Sequence, residues 1–107
     1  NKVKIFLDDV RDAPYGWTLV RSYDECLKLL NEEDITHLSL DHDLGHNVKT
    51  GYDIVSYIEE KVMTEGFIPP ILTIHSSNPI GRTRMAVVID RIKSFILLNE
   101  NKEQKGN

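Results

Sequence analysis

Three apolar runs in this chain stop abruptly in ionisable side chains, and that repeated break constrains the fold more than any other feature. Val3-Lys4-Ile5-Phe6-Leu7 ends in Asp8-Asp9, Leu38-Ser39-Leu40 in Asp41-His42-Asp43-Leu44-Gly45, and Ile71-Leu72-Thr73-Ile74 in His75-Ser76-Ser77-Asn78. Short apolar runs of this kind read as buried strands. A buried strand requires the apolar residues, but nothing in it requires carboxylates and imidazoles at its end. Local structure therefore accounts for the first half of each stretch, and the second half is expected to form a site.

A fourth run, Thr18-Leu19-Val20-Arg21, is the second strand in chain order. It is reached through the loop Arg11-Asp12-Ala13-Pro14-Tyr15-Gly16-Trp17, which is shorter than the dozen or so residues of an ordinary parallel crossover. Either the loop makes an unusually tight crossover or this edge strand runs antiparallel.

The intervening segments are helical. Ser22-Tyr23-Asp24-Glu25 has the form of a capping box, followed by Cys26, Leu27 and Leu30 at helical spacing. Thr50 caps a second helix with Ile54, Val55, Ile58 and Val62 on one stripe and Gly66 as its stop. Asn78 and Pro79 start a third, whose stripe of Met85, Val88, Ile89, Ile92, Phe95 and Ile96 extends to about Leu98. Residues 1–98 are expected to form a single domain, with 99–107 as a polar, frayed tail.

Alternating strands and helices imply an α/β, three-layer sandwich around a mostly parallel sheet. Right-handed crossovers give the strand order 2-1-3-4. In such sheets ligands sit at the carboxyl ends of strands where the winding reverses. Three of the four strand ends carry the richest chemistry of the chain, so they are expected to converge there.

With 107 residues, 40% of them hydrophobic and 28% charged, the chain has the make-up of an ordinary soluble domain. It has no run approaching the ~20 apolar residues of a membrane span. A net charge of −4 argues against a grip on long nucleic acid, which calls for a basic face. A short phosphate-bearing ligand needs only one or two well-placed arginines. The lone Cys26 has no partner for a disulfide, and Asn1-Lys2-Val3-Lys4-Ile5 reads as strand rather than signal peptide. A reducing, cytoplasmic setting is expected.

Carboxylates gathered at one edge raise one another's pKa unless a cation joins them. Asp8, Asp9 and Asp41 are hard oxygen donors suited to magnesium, manganese or calcium, although any of them could instead cap a loop. His42 and His75 are acid/base candidates, with Asp43 and Asp41 flanking His42 to orient it. The first turn of the Asn78-Pro79 helix offers free N–H groups to a phosphate, and Arg82, Arg84 and Arg11 offer guanidinium forks. Ser76 and Asn78 complete the candidate substrate-binding set.

The Asp8-Asp9 pair, Asp41 and Ser76 resemble the receiver domains of two-component signalling. The flavodoxin-like receiver carries a fifth strand with a lysine and a fifth helix, both lacking here. A narrower likeness covers Val3 to Phe95. Phe6-Leu7-Asp8-Asp9-Val10-Arg11, Ser39-Leu40-Asp41-His42-Asp43-Leu44-Gly45, Thr50-Gly51-Tyr52-Asp53 and His75-Ser76-Ser77-Asn78-Pro79-Ile80-Gly81-Arg82 together resemble the cyclic-phosphate-processing receiver-like family.

That resemblance implies a truncated receiver-like fold and hydrolysis of a cyclic phosphate, either at an RNA 2′,3′-cyclic phosphate end or in a cyclic nucleotide. One of His42 and His75 would activate water and the other protonate the departing ribose oxygen. The alternative is a non-enzymatic signalling or phosphate-ligand-binding module built around Asp41.

Overall fold

The computed structural model describes residues 2–105. Its elements in chain order are β1 (Lys2–Leu7), β2 (Thr18–Val20), α1 (Tyr23–Glu32), β3 (Asp34–Leu40), α2 (Gly51–Glu65), β4 (Ile71–Ile74) and α3 (Pro79–Lys105). The sheet runs β2-β1-β3-β4, and all three neighbouring pairs are parallel. This is a receiver-like α/β fold of the flavodoxin type. The short loop after β1 does make the tight crossover: β2 lies parallel to β1, with Ile5 opposite Thr18 and Leu7 opposite Val20.

Each helix begins at the cap its sequence announces. Ser22 Oγ accepts from the Glu25 N–H at 3.2 Å. Thr50 forms a full capping box: its hydroxyl accepts from the Tyr52 N–H, and its own N–H donates to Asp53 Oδ2 at 2.8 Å. Asn78 Oδ1 accepts from the Gly81 N–H at 3.1 Å, with Pro79 as the first helical residue. Gly66 ends α2 at φ 69°, a left-handed conformation that costs glycine little.

One end differs from expectation. The apolar stripe of α3 fades near Leu98, yet the helix continues to Lys105; residues 106–107 lie outside the described residues. Periodicity reports where a helix is packed, and a helix can outrun its packing.

Strand alternation splits the sheet into two unequal faces. Ile5 and Leu7 of β1, Leu38 and Leu40 of β3 and Leu72 of β4 join a single buried cluster. The same cluster holds Cys26 and Leu30 of α1, Ile54, Val55 and Ile58 of α2, and Met85, Val88 and Ile92 of α3. The other face carries Lys4, Phe6, His37 and Ser39, and a loop covers it in place of the expected third layer, because α1, α2 and α3 all pack on the first face. Trp17 meets Phe6 edge-on at 6.4 Å and His37 at 6.1 Å, and Lys4 Nζ lies 5.2 Å from its ring centroid. No helix among the described residues is long and apolar enough to cross a membrane.

Gly51 sets the approach of α2 to the sheet. Its N–H donates to the His42 carbonyl at 2.9 Å, and a Cβ there would stand 2.0 Å from the Asp41 carbonyl oxygen. Gly51→Ala should therefore destabilise the fold by about 1–3 kcal/mol, as overpacking does, read as a lower urea midpoint. Unchanged stability would mean that α2 is free to back away from β3.

Candidate functional site

The ends of β1, β3 and β4 meet over the thinly covered face of the sheet. Asp8, the residue after β1, is fully buried. Its Oδ1 accepts from the N–H groups of Val10 at 2.9 Å and Arg11 at 2.8 Å, so it ties down the start of the tight loop. Its Oδ2 lies 3.0 Å from His75 Nε2 and 3.6 Å from Arg11 Nη1. Burial alone would raise this carboxyl, but the N–H groups of Arg11 and Val10 and the His75 ring outweigh it and hold Asp8 below the usual range.

An ionised Asp8 can only accept a hydrogen bond, and this fixes the His75 tautomer. Nε2–H donates to Asp8, and Nδ1 accepts from the Ser39 hydroxyl at 2.7 Å. The imidazole lies flat on Phe6, with centroids 4.1 Å apart and planes 6° from parallel. Arg11 donates to the His75 carbonyl at 3.1 Å, and Arg21 braces the loop by donating to the Arg11 carbonyl at 2.9 Å.

Asp41, the residue after β3, completes the cluster. Burial pushes its carboxyl above the usual range and the Asp8 charge adds to the effect, against the opposing pull of the His42 N–H, His75 and Ser76. Asp8, Asp41 and His75 each offer one ligand atom, and these atoms lie within 4.8 Å of one another. The set can hold a metal ion: its unequal carboxylates sit where a cation would relieve the strain on Asp41. An imidazole suits a first-row transition ion better than magnesium or calcium.

Asp9 was expected beside these ligands but stands outside the cluster among the described residues. His42 also departs from the expected arrangement. Asp41 and His42 are consecutive, so their side chains leave the strand on opposite sides. His42 turns to the helical side, where a Cβ on Gly81 of α3 would come within 2.4 Å of its ring. His75 turns to the Phe6 side. The two imidazoles therefore do not share one pocket.

His42 instead belongs to a second network. Its Nδ1 lies 2.9 Å from Asp43 Oδ1, and Asp43 Oδ2 accepts from Asn78 Nδ2 at 3.2 Å. Those two contacts, His42 first, hold Asp43 below the usual range. The ionised Asp43 accepts a hydrogen bond from the His42 Nδ1–H, leaving His42 Nε2 buried without a partner among the described residues.

The remaining candidates are spread along the same edge. Ser76 is buried and its Oγ accepts from the Asn78 N–H at 3.1 Å. Arg82 is exposed and lines, with Ser77, Pro79 and Thr83, a cavity of about 430 Å³ beside β4. The Arg84 guanidinium carbon lies 4.2 Å from the centroid of the Tyr52 ring. Ser39 and Phe6, which fix His75, were not among the expected site residues. They are register partners in β1 and β3, and their shared parity with Asp41 was the available signal.

The family model for the cyclic-phosphate processing receiver domain matches residues 3–91. The chain belongs to that family. Comparison with curated proteins and with solved structures gives no match. The matched segment spans all four strands and the whole cluster of Asp8, Asp41 and His75, so in this receiver domain the carboxylates come with an imidazole built in.

The raised pKa of Asp41 has a stability consequence with a definite sign. A carboxyl whose folded pKa lies above its unfolded value loses stability as pH rises through that interval. Asp41→Asn should therefore melt at a higher temperature than the parent at pH 7, with the gap closing as the pH is lowered through the raised pKa toward the unfolded value. A lower melting temperature at pH 7 would show that Asp41 is held by partners rather than penalised by burial.

Proposed function

We propose that this protein is a phosphoesterase that opens a cyclic phosphodiester, at an RNA 2′,3′-cyclic phosphate end or in a cyclic nucleotide. The observation that carries the reading is His75, fixed at Nδ1 by Ser39 and at Nε2 by buried Asp8, beside a carboxyl of raised pKa. Asp8 and Asp41, whose environments push their pKa values in opposite directions, are suited to different roles, the first as anchor and the second as base.

In this reading a water oxygen attacks phosphorus as one ribose P–O bond breaks, giving a phosphomonoester. Asp41, the more basic carboxyl, takes the proton from the attacking water. Asp41 then passes that proton to the departing ribose oxygen, while His75, with its Nε2–H on Asp8 and its Nδ1 on the Ser39 hydroxyl, positions the cluster. Arg11, half-exposed at the mouth of the cluster, faces the phosphoryl oxygens, and Arg82 with the first turn of α3 offers a second positive contact. Asp8, Asp41 and His75 would hold a divalent ion, manganese best among those expected, in place of the His75 Nε2 proton. Such an ion would supply positive charge to the phosphoryl group.

His42, Asp43 and Asn78 keep a different role. They set the position of the first turn of α3 and hence of Ser76 and Arg82. The proton work expected of two histidines falls instead to Asp41, with His75 as a positioning residue.

Turnover of a panel of ribose 2′,3′-cyclic phosphates, followed by release of the monoester, tests this directly. Asp41→Asn should cost about 10²–10⁴-fold in kcat, the usual contribution of a positioned acid or base. A chelator should stop turnover and manganese restore it. If Asp41 is labelled by acetyl phosphate and no cyclic phosphate is opened, the phosphoesterase reading fails in favour of a signalling module.

A further inference from the structure

A second cavity, of about 380 Å³, opens between the start of α1 and the loop joining β3 to α2. Tyr23 and Asp24 form one wall; Leu44, Asn47 and Lys49 form the other. None of these residues serves the chemistry assigned above. The strand order β2-β1-β3 puts the two walls on either side of the end of β1, which carries Asp8. Each wall begins beside a residue that frames the cluster: Ser22 follows Arg21, which braces the Arg11 loop, and Leu44 follows Asp43, which holds His42.

The lining has the composition of a pocket for a flat, polar-edged ring. The Tyr23 side chain is half-buried and packs against the core, so its ring is a fixed platform. Lys49 Nζ stands 4.6 Å from its centroid, which shows that one face of the ring is turned to the loop. Leu44, only 7% exposed, supplies an apolar floor. Asp24 can accept a hydrogen bond from a ring edge, and Asn47 can both donate and accept. Ligand pockets combine these ingredients: an apolar or aromatic surface for area and a few polar groups for orientation. An exposed ammonium over an aromatic ring is held more weakly than a stacked base, so the face now occupied by Lys49 is available to one.

We propose that this cavity is a nucleobase subsite, taking the base of the nucleotide whose cyclic phosphate reaches the Asp8, Asp41 and His75 cluster. The proposal rests on the phosphoesterase reading for the identity of the ligand. Once a base displaces it, Lys49 lies free at the rim of the pocket to meet the anionic backbone of the same ligand.

The test pairs binding with kinetics. Adenosine, which carries no phosphate, is titrated by NMR into the full chain and into Tyr23→Leu and Tyr23→Phe. Leucine keeps the apolar bulk against the core, and phenylalanine also keeps the aromatic face. Adenosine should shift the signals of Tyr23, Leu44 and Lys49, with affinity about tenfold weaker in Tyr23→Leu and retained in Tyr23→Phe. In turnover, Tyr23→Leu should raise KM for adenosine 2′,3′-cyclic phosphate by a similar factor and leave glycerol 1,2-cyclic phosphate, which has no base, unaffected.

Adenosine binding that is absent, placed elsewhere or indifferent to Tyr23→Leu overturns the subsite, as does an equal loss on both cyclic phosphates. Tyr23-dependent adenosine binding without turnover of either cyclic phosphate removes the phosphoesterase reading and keeps the base pocket. Turnover of both that ignores Tyr23→Leu does the reverse.

Discussion

A carboxylate buried without water must be held by protein donors, and at Asp8 that requirement organises the edge of the sheet. Two backbone N–H groups and an imidazole supply the donors. The Val10 and Arg11 N–H groups, two and three residues on, meet Oδ1 as they would at a helix cap, and so fix how the chain leaves β1. The short segment between Leu7 and Thr18 then returns directly to β2 as the loop that covers the Phe6 face. Arg21 closes the arrangement by donating to the Arg11 carbonyl from the far side of β2. A charged group that is merely buried is costly; one whose lone pairs are all used fixes its surroundings.

The same logic explains why His75 is so constrained. Its two nitrogens face groups of opposite demand, an acceptor at Asp8 and a hydroxyl that can donate at Ser39, so a neutral ring has only one compatible tautomer. Stacking on Phe6 fixes the plane of the ring as the hydrogen bonds fix its rotation. Nothing on the helical face is needed for this. The site sits on the thin side of the molecule, against a loop and a few polar side chains.

Much of this was legible in the chain. The polar ends of three apolar runs located the edge of the sheet, and right-handed crossovers gave the strand order found. Caps at Ser22, Thr50 and Asn78 announced the helix starts. The error at His42 came from treating a strand end as a point. A strand has two sides to its last residue, and the parity that sends Leu38 and Leu40 into the core also sends His42 after them. Parity would likewise have grouped Phe6, Ser39 and Asp41. What no pattern could reveal was the direction of β2, because loop length bears on that question without deciding it. The length of α3 was hidden for a different reason: helix propensity persists after amphipathic periodicity has ended.

Asp8 and Asp41 are chemically identical and lie in one cluster, yet the structure drives them apart. Burial opposes ionisation of both, but three donors converge on Asp8 and outweigh it; Asp41 has fewer, and it also feels the charge of Asp8. The asymmetry is therefore set by how far hydrogen-bond donors offset burial. It has a direct chemical consequence, because the anchored carboxylate is a poor base and the unrelieved one a better base. Any cation or proton arriving at the cluster gains most by reaching Asp41. The end of β3 is thus the reactive point of the edge, and the end of β1 its support.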